Sequence, residues 1–271
     1  FANVTKPEDY KAFLAGEEKN AAHIFGAHER TVNGVKGVLF NVWAPKALSV
    51  SVVGEFNKYD GRVHLMERIE DTGVFELFIP GLAAGCGYMY EIKRQGKGTT
   101  RKLDPVSRQI SSVPITASVV SDENMPDSYA WNDGLWMIKR KKEAGKKKPV
   151  TVYEVSLTDW LKEKSADELV DFVKQGYTHV CFLPVAEYLN EEMNGYSTLG
   201  YFAVTHRIGG SDAFKKLVDD CHNAGIGVII DWNGAYFGTE VKGLYDFDGA
   251  DAYGYLKPSL EKHPEWDVVT F

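Results

Sequence analysis

Cysteine is scarce in this chain and shows no pattern. Cys86, Cys181 and Cys221 are odd in number and widely spaced, which excludes a disulfide framework and a cysteine-based zinc site. That usage fits a reduced, cytoplasmic setting. Long apolar runs are missing too. No window approaches the ~18 consecutive apolar residues a membrane span needs, so no membrane partner is expected. The first residues, FANVTKPEDYKAFLAGEEKN, lack a basic start followed by an apolar stretch, so no signal peptide is read there. The seven histidines have no metal-ligand spacing, and no glycine-rich phosphate loop follows a strand pattern, so neither a metal nor another cofactor is expected. Positive charge is in deficit at a formal net charge of −7, which argues against nucleic acid as a partner.

What is present divides into two rhythms. The 271 residues give room for one or two domains of about 100–200 residues each. From about residue 35 to residue 120 the runs are short and β-like: VLFNVWAP, SVSVVGEF, VFELFIPG and YMYEIKR. They are separated by turns such as Lys58-Tyr59-Asp60-Gly61 and Asp71-Thr72-Gly73. Alternation inside the runs implies half-buried strands of a β-sandwich. Before them, residues 7–14 read as a short helix. The run KRKKEAGKKKP, residues 139–149, reads as a solvated linker in preference to a basic binding patch.

After that run the pattern becomes βαβαβ. VTVYEVSL, residues 150–157, is the first strand. Ser165-Ala166-Asp167-Glu168 is a capping box that opens a helix with an apolar face at Leu169, Phe172 and Val173. THVCFLPV, residues 178–185, is nearly all apolar, as buried parallel strands are. A second helix opens at Ser211 and Asp212 and stops at Gly225, and GVIID follows as the third strand. Strands alternating with helices require a parallel sheet with right-handed crossovers.

Asp231 stands where the third apolar run stops. Ligands of parallel α/β folds bind beyond the carboxyl ends of the strands. An aspartate there can equally cap the next turn or pair with a buried arginine. The connection after the second strand is long, and long ordered loops at this face are usually functional. It carries Tyr188, Tyr196 and Tyr201, flat rings suited to stacking on a sugar and equally suited to packing.

GYSTLGYFAVTHRIGG followed by AGIGVIIDWNGAYF resembles the glycogen branching enzymes of the α-amylase superfamily. So do FNVWAPKALSVSVVGEFNKYDGR, GVFELFIPGL, YEVSLTDW and GYTHVCFLPVAEY, and the ordered blocks run from roughly residue 10 to the last residue. The resemblance implies an α and β chain of two domains: an N-terminal immunoglobulin-like β-sandwich of the glycogen-binding type, then the first βαβαβ portion of a TIM (β/α)8 barrel. The expected division is an N-terminal extension at 1–34, the sandwich at 35–121, a linker at 122–149 and the partial barrel at 150–271. The implied substrate and partner is an α-1,4-glucan, glycogen or starch. The implied reaction cuts an α-1,4 link and moves the chain to a 6-hydroxyl.

Carried over from the family, Asp231 matches an aspartate that hydrogen-bonds at the cleavage subsite, and Tyr196 matches a tyrosine that stacks on the sugar there. Tyr236 falls where the family has a histidine, a departure that exchanges an imidazole for a longer, uncharged phenol. Ser156, Thr158, Asn233, Gly234 and Ala235 also depart from the usual pattern. Asn57, Lys58 and Tyr59 lie in the turn where such modules often have a tryptophan after Phe-Asn, and Tyr59 serves either as a glucan platform or as a turn residue packed on Phe56. Retaining transglycosylases need two carboxylates, which in this family follow the fourth and fifth barrel strands. Only three barrel strands are counted, so no catalytic residue is assigned; Glu154, Glu187 and Asp246 match none of the catalytic positions. Three strands leave an open edge, expected to be covered by a C-terminal half or by self-association. Non-catalytic glucan binding or scaffolding is the alternative, and α-glucan hydrolysis the remoter one.

Overall fold

The computed structural model describes residues 4–18, 20–112, 114–121, 129–250, 252–254, 262–263, 265 and 268–271. Its first half is a β-sandwich. Helix α1 (Pro7–Leu14) precedes β1 (Gly26–Val32), β2 (Val35–Trp43), β3 (Ala47–Val53), β4 (Glu67–Ile69), β5 (Val74–Pro80), β6 (Gly87–Arg94), β7 (Gly98–Lys102), β8 (Ile110–Ser111) and β9 (Ala117–Val119). One antiparallel sheet has the order β1-β2-β5-β4; the other has β3-β6-β9-β8, with β7 also paired to β6. Alternate residues of β2 (Val38, Phe40, Val42) face Val50 and Val52 of β3 and Tyr88, Tyr90 and Ile92 of β6 in one fully buried core. The opposite face of the first sheet is covered by α1. The Tyr10 hydroxyl donates to Glu76 Oε2 at 2.8 Å and lies 3.0 Å from Asn41 Oδ1, whose Nδ2 donates to Thr5 Oγ1 at 3.1 Å, so these buried polar groups have partners.

Strand β1 corrects the expectation that residues 1–34 form an extension. It pairs with β2 from Gly26↔Asn41 to Val32↔Val35, around Asn33 (φ 50°) and Gly34 (φ 81°). Two left-handed residues make the tight hairpin turn that matches strand twist, and Asn-Gly is its strongest sequence signal. The strand itself, GAHERTV, lies at the sheet edge and fully buries only Gly26 and His28, so it carries little apolar pattern.

The segment expected as a linker, 122–149, also contains order. Helix α2 (Gly134–Glu143) takes in the start of the basic run and has no buried residue. Arg140, Lys141 and Lys142 fill its last turn, where cations oppose the helix dipole. Trp136 stacks on His222 at 3.6 Å between ring centroids, and His222 Nδ1 lies 2.7 Å from Oδ2 of Asp133, the residue that precedes the helix.

The second half holds β10 (Val152–Val155), α3 (Leu157–Glu163), α4 (Ala166–Val173), β11 (His179–Phe182), β12 (Ala186–Tyr188), β13 (Thr198–Val204), α5 (Gly210–Asn223), β14 (Gly227–Ile230), β15 (Tyr236–Gly238), β16 (Lys262–His263) and β17 (Val268–Thr270). Strands β10, β11 and β14 form one parallel sheet in that order. Val180 and Phe182 pack against Leu169 and Val173 of α4 and Phe214, Leu217 and Cys221 of α5. The expected capping box is present: Ser165 Oγ accepts from Glu168 N at 3.2 Å, and Glu168 Oε2 accepts from Ser165 N at 2.7 Å. The first strand is shorter than expected, because Ser156 leaves it to cap α3. The far edge of β14 leaves Ile229 and Ile230 more than 40% exposed.

The two halves share a core residue. Phe247, from the segment after β15, is fully buried in the sandwich cluster with Phe40, Tyr88 and Tyr90.

Candidate functional site

The site is built at the carboxyl end of β14. Asp231 N donates to Phe182 O at 2.8 Å, continuing the ladder for one more residue. That bond leaves the side chain just beyond the sheet, half-buried. The Tyr196 hydroxyl donates to Asp231 Oδ2. This bond to a carboxylate pushes the Tyr196 phenol above its ordinary value, with burial adding to the effect. The phenol therefore stays protonated and the ring is held in place.

Asn233 sets the loop around this pair. Its Nδ2 donates to Tyr196 O at 2.9 Å and to Tyr236 O at 3.0 Å, and its Oδ1 accepts from Ala235 N at 3.3 Å. One buried amide thus ties the backbones of Tyr196 and Tyr236 together. Tyr236 O also accepts from the Tyr201 hydroxyl at 2.6 Å. Ser197, next to Tyr196, donates its hydroxyl to Glu240 Oε1 at 2.8 Å. Gly238 has no space for a side chain: a Cβ would lie 1.9 Å from Glu240 Oε2 and 2.3 Å from Ser197 Oγ.

The long connection after β11 is a ribbon, β12 paired antiparallel to β13. It sorts the three tyrosines that look alike in the sequence. Tyr188 is buried, its hydroxyl donating to Thr158 Oγ1 at 3.3 Å and its ring lying 4.3 Å from the Arg207 guanidinium carbon. Tyr201 spends its hydroxyl on Tyr236 O. Tyr196 alone of the three reaches Asp231. Glu187 is structural: at 2% exposure it accepts from Thr205 Oγ1, His206 N and Arg207 Nη1 at 2.9–3.1 Å. Among the described residues no group of three His, Cys, Asp or Glu side chains is placed to hold a metal, and no helix is long and apolar enough to cross a membrane.

Tyr59 lies on the sandwich, apart from this loop. Lys58 and Tyr59 both have left-handed backbone, φ 54° and 57°, and Tyr59 N donates to Gly54 O at 2.9 Å. The half-buried ring borders the cluster of Val53, Met89 and Ile110, which continues into Leu199 and Ala203 of β13. The Arg101 guanidinium carbon lies 5.6 Å from its centroid. With Glu55, Phe56, Gln109 and Ser111, Tyr59 lines a cavity of about 530 Å³.

Sequence reading missed the roles of Asn233, Ser197 and Glu240, and it passed over Trp232. That indole follows Asp231 directly and is 64% exposed. An aromatic beside a strand-end carboxylate is a signal open to sequence inspection; the Ser197–Glu240 pair spans 43 residues and is not.

Residues 24–107 match carbohydrate-binding module 48, the isoamylase N-terminal domain family. The chain is 41% identical to the 1,4-alpha-glucan branching enzyme of Methylococcus capsulatus over 97% of its own length and 37% of that protein's. It is 36% identical to that of Shewanella baltica over all of its own length and 38% of the relative's. Among solved structures it resembles an alpha amylase from Salmonella typhimurium (TM-score 0.65, 24% identity), covering 91% of this chain and 38% of that one. It also resembles the catalytic module of the pneumococcal glycogen-degrading virulence factor SpuA (TM-score 0.61, 19% identity), covering 91% of this chain and 42% of that one. These two likenesses bear out the expected fold, a sandwich followed by the start of an amylase-like barrel. The chain spans little more than a third of the curated relatives it matches, and over nearly all of its own length its sequence is similar to 1,4-alpha-glucan branching enzymes.

Proposed function

We propose that this chain carries the glucan-binding module and part of the donor site of a 1,4-α-glucan branching transferase. The module takes in β1 together with residues 35–121, and residues 150–271 supply the barrel portion. Asp231, Tyr196 and Tyr236 hold one glucose unit of an α-1,4-glucan, and Tyr59 offers a second contact on the module. No nucleophile and no acid/base is assigned to these 271 residues. The cytoplasmic setting expected from the cysteines goes with this reading.

The observation that carries it is the Tyr196–Asp231 pair at the end of β14. Tyr196 gives its only proton to Asp231 Oδ2, which fixes the ring as a flat wall. The half-buried carboxylate keeps lone pairs for sugar hydroxyls, and an aromatic face beside a hydrogen-bonding carboxylate matches a sugar's apolar ring faces and polar edge. Branching of amylose by the full gene product tests the proposal. Loss of iodine colour without new reducing ends is the expected result. New reducing ends would mean hydrolysis instead.

Tyr236 favours one other reading, glucan binding without turnover, because it replaces the family's histidine with a group that carries no positive charge. Iodine colour that persists while glycogen still retards the protein in a gel would establish it. The exposed edge at Ile229 and Ile230 needs a neighbour, either further barrel strands or a second copy. Sedimentation of the 271-residue chain distinguishes these, a dimer favouring the second.

A further inference from the structure

We propose that Arg94 and Lys102 of the sandwich are positioning residues for the glucan site, because they clamp the strap of residues 239–250 whose near end carries that site's supports. The inference rests on the reading of Asp231 and Tyr196 as a glucan subsite.

The strap leaves the barrel after β15 and lies along the sandwich. Arg94 Nη1 donates to Asp246 Oδ2 at 2.7 Å, and Lys97 Nζ donates to Asp246 Oδ1 at 2.9 Å. Lys102 Nζ donates to Tyr245 O. Backbone amides continue the clamp: Leu103 N donates to the Lys242 carbonyl at 2.8 Å and Lys46 N to the Asp248 carboxylate at 2.8 Å. Phe247 fills the sandwich core between these bonds.

Two features mark this as a built contact. Lys102 is only 1% exposed, and a buried ammonium persists only where partners compensate for lost water. Those partners are the Tyr245 carbonyl and the nearby charges of Asp246 and Asp248. Asp246 also has a left-handed backbone, φ 46°, which the surrounding structure must hold in place. Arg94 and Lys97 grip it from both carboxylate oxygens.

From the clamp to the site the contacts are contiguous. Leu244 packs with Phe237 and Tyr201. Tyr201 holds the Tyr236 carbonyl. Glu240, at the strap's near end, holds Ser197 beside Tyr196. Releasing the strap therefore loosens both tyrosines without touching Asp231. Coupling through packed side chains of this kind amounts to roughly a few-fold to tenfold in affinity.

Calorimetric titration of the chain with maltoheptaose, together with amide hydrogen exchange of 236–248, tests the inference. Lys102→Met and Asp246→Asn should lower barrel-site affinity by about three- to tenfold and expose the strap amides. Arg94→Lys, which keeps the charge, should stay within about twofold and provides a reading if a harsher variant fails to fold. Retardation by glycogen through the Tyr59 surface should not change. Unchanged maltoheptaose affinity with an exposed strap would overturn the positioning role. Equal loss of maltoheptaose and glycogen binding would overturn it too, leaving only general destabilisation. Asp231→Asn without effect on maltoheptaose would instead sink the site reading itself.

Discussion

Glu187 and Asp231 both stand beyond the carboxyl ends of parallel strands, yet their surroundings differ. Glu187 is 2% exposed and accepts from backbone, hydroxyl, imidazole and guanidinium groups. Asp231 is half-buried and, among the described residues, receives one hydrogen bond to its carboxylate, from Tyr196. A carboxylate whose lone pairs are all taken organises the protein. One with lone pairs to spare is available to a ligand. On the proposed reading, the two acids divide structure from recognition within one loop system.

Removing each acid should separate these roles. Glu187→Ala should cost about 3–5 kcal/mol, because Thr205 Oγ1 and His206 N would lose their acceptor and Arg207 would be left with the exposed Glu191 as its counter-charge; urea unfolding measures it. Asp231→Asn should change stability by less than about 1 kcal/mol while weakening maltoheptaose at least about tenfold, the loss of a hydrogen bond to a charged group. Comparable stability losses for both would erase the contrast.

A second contrast sets the buried clamp against the exposed turn. Burial holds Lys102 down to about 8, against 10.5 for a free lysine. Between those values the unfolded chain binds more protons than the folded one, so stability rises as pH climbs from about 8 to about 10.5. Lys102→Met should flatten that rise in urea midpoints. Tyr59→Ala should do least: glycogen retardation falls by about two- to fivefold, the worth of one stacked ring, with barrel-site affinity untouched. Equal mobility of the variant and the parent protein would remove Tyr59 from the site.

The barrel portion was legible because its signals are local. Its parallel strands read as nearly continuous apolar runs, and Ser165 and Glu168 cap their helix within four residues. Asp231 stood out because it interrupts such a run. Edge strand β1 did not, since GAHERTV has little to bury; only Asn33-Gly34 announced it. The sorting of Tyr188, Tyr196 and Tyr201 was invisible, because it depends on partners such as Thr158, Tyr236 and Asp231 that come together only in the fold. The strap was invisible for the same reason: Lys46 and Asp248 are 202 residues apart.

Phe247 has a consequence for synthesis. The other buried residues of the sandwich core all come from positions up to Val120, and Tyr253 packs against Phe247 from the same late segment. A nascent sandwich therefore emerges with an aromatic-sized vacancy. At translation rates of about 5–20 residues per second, the side chain that closes it arrives roughly 10 s later. Throughout that interval the unfinished module presents an apolar hole to chaperones and to neighbouring nascent chains.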